Sequence, residues 1–333
     1  MYCEAANKSL SRRLALGLLL LSPLAAATAE ESATSWPGKP VRLVVNFAPG
    51  GAVDVVGRAV SAALLPRVGQ PVVVENRAGA GGGIGAENVA KSAPDGYTLL
   101  VSAGTLFSIG PFVYDKMPVD PFKDLVPVAP VSRGIQYLLV RSSLPVKDAR
   151  EFLDYVKKNS GAMTYGSAGN GSGPHLAGEM FKAKTGTSAL HVPYKGAAPA
   201  LQDLLAGRLD YVFDPGIGLS QLAGGKIRLL AIGGDKRVSR FPDVPTLDEL
   251  GVKDFNAESL FGVFAPAGTP AALVKKINAE IGKALENESL RSAILANGAE
   301  VAAPMSAESF LKALRQEAGR FGPIAKERGI RAD

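Results

Sequence analysis

The chain has 333 residues, 47% of them hydrophobic and 20% charged, with a formal net charge of +6 and one cysteine, Cys3. The length suits two domains of ordinary size, and the scattered charge, with no basic run, excludes a nucleic-acid footprint. One cysteine and two histidines (His175 and His191) exclude a disulfide framework and a thiolate or histidine-rich metal site, and no acidic run has the spacing of a calcium loop.

Residues 1–29 read as a signal peptide. Lys8, Arg12 and Arg13 form a basic start, 14–21 are an apolar core too short to span a bilayer, and Ala27-Thr28-Ala29 is a small-x-small cleavage site. Ala15 stands where a twin-arginine signal usually carries an aromatic, which favours the general secretory route. Cleavage removes Lys8, Arg12, Arg13, Glu4 and Cys3, lowers the +6 to +4 and leaves an exported chain without cysteine. No later stretch is long and apolar enough to be transmembrane. The expected location is the periplasm.

Strands and helices then alternate. Residues 41–45 are an apolar strand, followed by a helix from about 52 to 65, a strand at 72–74, a short helix at 84–91 and a strand at 98–101. This is a βαβαβ unit, which implies a parallel sheet with right-handed crossovers. A second unit opens with a strand at 135–141 and a helix begun by Asp148 and Glu151. Strands at 163–165, 190–192, 209–213 and 227–232 follow, with helices at 174–185 and 197–206 ended by Gly186 and Gly207. A strand at 260–264 leads to a helix after Thr269-Pro270, with Leu273, Val274, Ile277, Ile281 and Leu285 on one face, and Ser306 opens the last helix. The expected architecture is α/β with two lobes, each a mainly parallel sheet flanked by helices. Lobe 1 spans 37–131 plus 262–333 and lobe 2 spans 132–261.

Two loops carry the chemistry. Tyr165-Gly166-Ser167-Ala168-Gly169-Asn170-Gly171-Ser172-Gly173-Pro174-His175 runs from a strand into a helix N-terminus, and Phe47-Ala48-Pro49-Gly50-Gly51-Ala52 does the same near the start of the mature chain. Free backbone N–H groups at a helix N-terminus, with the positive end of the dipole behind them, make an anion site without a cationic side chain. Two such loops predict two half-sites closing on one small anion. Phe47, Pro49, Gly50, Gly51 and Ala52 line one side, and Ser167, Ala168, Gly169, Gly171 and Ser172 the other. Thr105, beyond the third strand, is a third contact.

His175 admits two readings, a packing or capping residue and a direct ligand contact. His191 alternates with Leu190 and Val192 and reads as structural. Asp214 ends a strand where open α/β sheets place ligands, and also suits a cap for the turn after Gly216. Asp54 and Arg58 are spaced to pair on a helix, so Asp54 supports the loop rather than meeting the anion. Arg133 is either a surface residue or a partner for a second acidic group on the ligand. A serine hydrolase is disfavoured, because Gly166, Ser167 and Gly169 miss the spacing of a nucleophile elbow. The glycines of 79–85 fit a dinucleotide fingerprint only loosely, with no acid at the expected place, so no cofactor is expected.

Six motifs stand in order along the chain: Pro49-Gly50-Gly51 with Asp54, Glu75-Asn76-Arg77-Ala78-Gly79-Ala80-Gly81-Gly82, Pro94-Asp95-Gly96-Tyr97-Thr98, the 165–179 segment, Val192-Pro193-Tyr194-Lys195-Gly196 and Pro242-Asp243-Val244-Pro245-Thr246. By these the chain resembles the substrate-binding proteins of the tripartite tricarboxylate transporter family, the Bug proteins. The resemblance covers essentially the whole mature chain. It implies a type II periplasmic binding protein fold, a small carboxylate ligand held by backbone groups and ordered water, no catalysis, and membrane permease subunits as partners of a monomeric receptor. Two departures from the family pattern, Pro215 after Asp214 and Ile135-Gln136 at the crossover, fall where the distal part of a ligand is expected. A sensing role toward a membrane receptor is the alternative to transport, and an exported hydrolase a distant third.

Overall fold

The structure, a computed structural model, describes residues 36–194 and 196–331. The signal-peptide expectation at 1–29 lies outside the described residues. Two sheets organise the chain. The first has six strands in the order β11-β4-β10-β3-β1-β2, comprising β1 (Val41–Val45), β2 (Val72–Asn76), β3 (Thr98–Ala103), β4 (Leu125–Gly134), β10 (Ser259–Pro266) and β11 (Glu300–Val301). The second has five in the order β7-β6-β8-β5-β9, comprising β5 (Tyr137–Arg141), β6 (Thr164–Ser167), β7 (Leu190–Pro193), β8 (Tyr211–Asp214) and β9 (Ile227–Ile232). The two-lobed α/β architecture is therefore present. Both sheets are mixed rather than mainly parallel. Parallel pairing joins β1 to β2 and β3, and β6 to β7 and β8. The strands that carry the chain between lobes, β4, β5 and β10, pair antiparallel with their neighbours.

The helices are α1 (Ala52–Val68), α2 (Gly83–Ala90), α3 (Thr105–Ser108), α4 (Gly110–Val113), α5 (Pro121–Asp124), α6 (Ala149–Lys158), α7 (Gly173–Thr185), α8 (Ala197–Leu205), α9 (Ala271–Ala284), α10 (Glu288–Ala296) and α11 (Ala307–Glu327). Their caps follow the sequence: Asp148 accepts from the Arg150 and Glu151 N–H groups, and Gly186 ends α7 in the left-handed region. The apolar stripe of α9 buries Leu273, Val274, Ile277 and Ile281 with β1, β3 and β10, each contributing about 1.5–3 kcal/mol. Beyond β3 the chain folds into the short helices α3 and α4 before it reaches α5. β4 runs ten residues, past the apolar run at 126–131 and through Arg133. β5 starts at Tyr137, because Ile135 and Gln136 form the crossing between sheets.

That crossing is tied to the return crossing. The Gln136 carbonyl accepts from Gly233 N–H (2.7 Å), and the Gly233 carbonyl accepts from Ala257 N–H (2.9 Å). Helix α11 bridges the lobes from behind. Its Phe310 and Leu314 pack with the first sheet, whereas Phe321 and Ala325 join the core under the second. Midway, the buried Glu317 carboxylate accepts from Ser108 Oγ (2.7 Å), Ser259 Oγ (2.6 Å) and Leu260 N–H (3.2 Å), which pins α11 to the start of β10. Both sheets thus meet a common spine, with the C-terminal ends of their parallel strands left to form the cleft walls.

Candidate carboxylate-binding cleft

The first wall rises from the ends of β1 and β3, which lie side by side with Val45 opposite Val101. The 47–51 turn leads straight into α1. Asp54, in the first turn of α1, accepts from Gly50 N–H (2.9 Å), Arg58 Nε (2.9 Å) and Asn76 Nδ2 (2.8 Å). Burial pushes its carboxyl up, and the bonds from Arg58, Gly50 and Asn76 more than offset that, holding it below the usual carboxylate range. Asp54 is therefore a brace, as its spacing to Arg58 implies. Asn76 Nδ2 also donates to the Phe47 carbonyl (3.1 Å), fixing the other end of the turn. Gly50, at φ 78°, takes a conformation that favours glycine. Its N–H is committed to Asp54, and the Gly51 N–H to the Ala48 carbonyl (3.3 Å). The donors left without a partner among the described residues are the N–H groups of Ala52, Val53 and Asp54, the first turn of α1. Gly50 and Gly51 shape this wall, and Ala52 offers the donor. Pro49 is exposed at its lip and Phe47 half-buried at its base.

The second wall stands at the ends of β6 and β8, with Gly166 opposite Val212. The hydroxyls expected to meet the ligand are turned inward. Ser167 is 1% exposed, and its Oγ bonds His191 Nε2 (2.7 Å) and the Gly169 N–H (3.1 Å). Ser172 caps α7: its Oγ donates to the Gly169 carbonyl (2.7 Å) and accepts from His175 N–H (3.3 Å). His175 Nδ1 accepts from Gly171 N–H (3.2 Å), which places its proton on Nε2. These contacts fold the loop around its own polar groups. The N–H groups of Ala168, Asn170 and Gly173 have no partner among the described residues. Gly169 and Gly171, both at positive φ, make the turns that leave these donors unpaired.

His175 and His191 stack face to face, with ring centroids 3.8 Å apart and planes at 5°. Both are pushed down to about 4, His175 by burial and His191 by burial and then by His175. Of the two readings for His175, the structure takes the packing one. The Ser167–His191 contact has the length of a nucleophile–base pair, yet the hydroxyl is buried and the imidazole is a weak base. The contact braces the loop, tying Ser167 to β7. The motif gave no sign of it, because His191 comes from a neighbouring strand, β7.

Asp214 is 2% exposed and accepts from Gly216 N–H (2.7 Å) and Gly218 N–H (2.9 Å), so it caps the turn after β8. Burial raises its carboxyl to about 6 against those two bonds. Thr105 stands at the end of β3, half-buried; a side chain added at Gly173 would lie 3.9 Å from its Cγ2. Thr105 of the first lobe and the α7 N-terminus of the second thus face one spot.

Arg133 is neither a surface residue nor free for a ligand. Its guanidinium meets Glu258 (3.1 Å) and Asp235 (3.3 Å) and forms a close pair with Glu300, its partner across β4 and β11. Burial drives the Glu258 carboxyl up to about 7, although Arg133 pulls the other way. Arg133 therefore joins the first sheet to the segments that lead out of and back from the second. Sequence spacing hid this, because the three acids lie more than a hundred positions further along the chain.

Two outcomes follow from these contacts. Arg133→Ala leaves three clustered acids without their cation, so chemical denaturation should show a loss of about 3 kcal/mol. The same variant should keep the ratio of diacid to monoacid affinity; an unchanged stability with a selective loss of diacid would reverse the assignment. The histidines act through pH. Unfolded imidazoles protonate below about 6.5 and the folded pair only near 4, so unfolding takes up protons in that window and stability falls as pH falls through it. Asp214 and Glu258, raised by burial, slope the opposite way. The clean readout is the difference between wild type and His191→Asn: between pH 6.5 and 4 the wild type should lose more stability per pH unit. Parallel curves would show that His191 is not held neutral.

The geometry has counterparts. The sequence model described as "Tripartite tricarboxylate transporter family receptor" matches residues 56–330. Protein BugT of Bordetella pertussis is 36% identical over 312 residues, covering 92% of this chain and 94% of BugT. Among solved structures, R. palustris Rpa4515 with adipate superposes with a TM-score of 0.82 at 35% identity, covering 89% of this chain and 99% of that one. MatC from Rhodopseudomonas palustris with bound malate does so with a TM-score of 0.78 at 33% identity, covering 87% and 99%. The chain belongs to the tripartite tricarboxylate transporter receptor family, whose members include the Bug proteins.

Proposed function

We propose that this protein is a periplasmic receptor that captures a small organic carboxylate between its lobes and delivers it to the membrane permease subunits of a tripartite tricarboxylate-type transporter. The observation that carries the reading is the pair of unpartnered N–H clusters, one in the first turn of α1 and one running from Ala168 and Asn170 to Gly173 at the start of α7, each in a loop whose other polar groups are braced. Charge-assisted bonds from backbone donors suit a carboxylate, and no cationic side chain is needed. The relatives with adipate and malate bound support the same class of ligand. Export, the division into lobes at 37–131 plus 262–333 and 132–261, and a monomeric receptor without catalysis complete the proposal. Closure would bend the paired crossings at Gln136 and Gly233.

A thermal-shift panel of mono- and dicarboxylates tests it, backed by scattering with and without the best binder. A ligand at a hundredfold its dissociation constant should stabilise the protein by about 2.7 kcal/mol. The radius of gyration should fall at saturation. A panel of acids that leaves the melting temperature unmoved would contradict the carboxylate reading, and saturation without compaction would contradict closure.

A further inference from the structure

Gln136 sits on the crossing between β4 and β5, 6% exposed, and its Oε1 is buried without a hydrogen-bond partner. Its Nε2 likewise makes no hydrogen bond among the described residues and points at the N-terminus of α7. A side chain added at Gly173, the first residue of α7, would lie 3.2 Å from Gln136 Nε2 and 3.9 Å from Thr105 Cγ2. The Gly173 backbone does not need glycine, since its φ is not in the left-handed region. What its lack of a side chain preserves is space, bounded by the first lobe, the second lobe and the crossing between them. A buried amide oxygen left unpaired is costly, and a methionine would fill the same volume without that cost.

We propose that the Gln136 carboxamide is a ligand-binding group: Nε2 donates to a carboxylate oxygen seated in the space beside Gly173, next to the free Gly173 N–H and Thr105. This rests on the carboxylate reading above and adds a donor from outside the two loops. Ile135-Gln136 then meets the head of the ligand rather than its distal part. Because Gln136 also carries one half of the hydrogen bond that joins the two crossings, a ligand held by its side chain is held at the hinge itself.

Calorimetry tests it, with succinate, malate and adipate as probes for wild type, Gln136→Met and Gln136→Glu. Gln136→Met, similar in shape, removes the donor and should weaken the tightest probe by about tenfold or more. Gln136→Glu sets a carboxylate against the ligand at about pH 7.5 and regains a donor when protonated, so its affinity should recover at least about tenfold near pH 5, more than the wild type changes. A filler of space would show no such recovery. Should the position 136 variants fail to fold, Gly173→Ala occupies the space from the other side and should cost about tenfold with a native circular dichroism spectrum. Folded Gln136→Met or Gly173→Ala binding within about twofold of wild type overturns the role of Gln136 and leaves the carboxylate reading standing. Wild-type protein that binds none of the three probes nor any acid of the wider panel overturns both.

Discussion

A carboxylate held without a cationic side chain must be met by hydrogen-bond donors that have nothing else to do. Loops rich in polar groups rarely leave such donors, because neighbouring side chains and carbonyls take them. This protein resolves the conflict by satisfying each loop from within. Asp54 takes Gly50 N–H, His175 takes Gly171 N–H, Ser172 closes on Gly169, and Ser167 is held by His191. The N–H groups left over are those of the first turn of α1 and, on the other wall, of Ala168 and Asn170 in the loop and Gly173 at the start of α7; at the two helix starts the dipole adds to their pull on an anion. The side chains that look like ligand contacts are the ones that keep the backbone in place.

The supports behind the loops are buried and electrostatically tuned. Burial holds the two imidazoles under the second loop well below their ordinary range, which disfavours a positive charge on either ring. Glu179 nearby is committed elsewhere, to Tyr165 (2.7 Å), Lys182 (2.6 Å) and Arg328 (3.0 Å). That last bond links α7 to the end of α11, so the spine that pins the first sheet through Glu317 also touches the wall of the second. Arg133 and its three acids draw the crossings and β11 together. Rigid walls joined by a few ordered connections are what a closing cleft requires.

Much of the architecture was legible in the residues. Apolar runs marked β1, β3 and β9, the glycine-rich turns marked the two helix N-termini, and Asp54 with Arg58 announced a brace by their spacing. The mixed pairing was not legible, because strand direction depends on where the chain crosses between lobes and not on the period of any one segment. The roles of Ser167 and Arg133 were hidden for one reason: each is decided by a partner far along the chain, His191 on β7 for the first and Asp235, Glu258 and Glu300 for the second. His191 was legible as structural, but not its bond to Ser167. Gln136 was visible as a departure from the family pattern, but its place beside Gly173 appears only once the two lobes are assembled.

The central claim is that backbone donors from both lobes, and not the loop hydroxyls, hold the anion. Amide chemical shifts of the isotope-labelled protein, titrated with its tightest-binding carboxylate, test it directly. The account predicts that the amides of Ala52, Val53, Ala168 and Gly173 move strongly downfield together. The Gly50 and Gly171 amides, already bonded to Asp54 and His175, should move little. Large shifts at Gly50 and Gly171 with Ala52 and Gly173 unmoved, or shifts confined to one lobe, would contradict it.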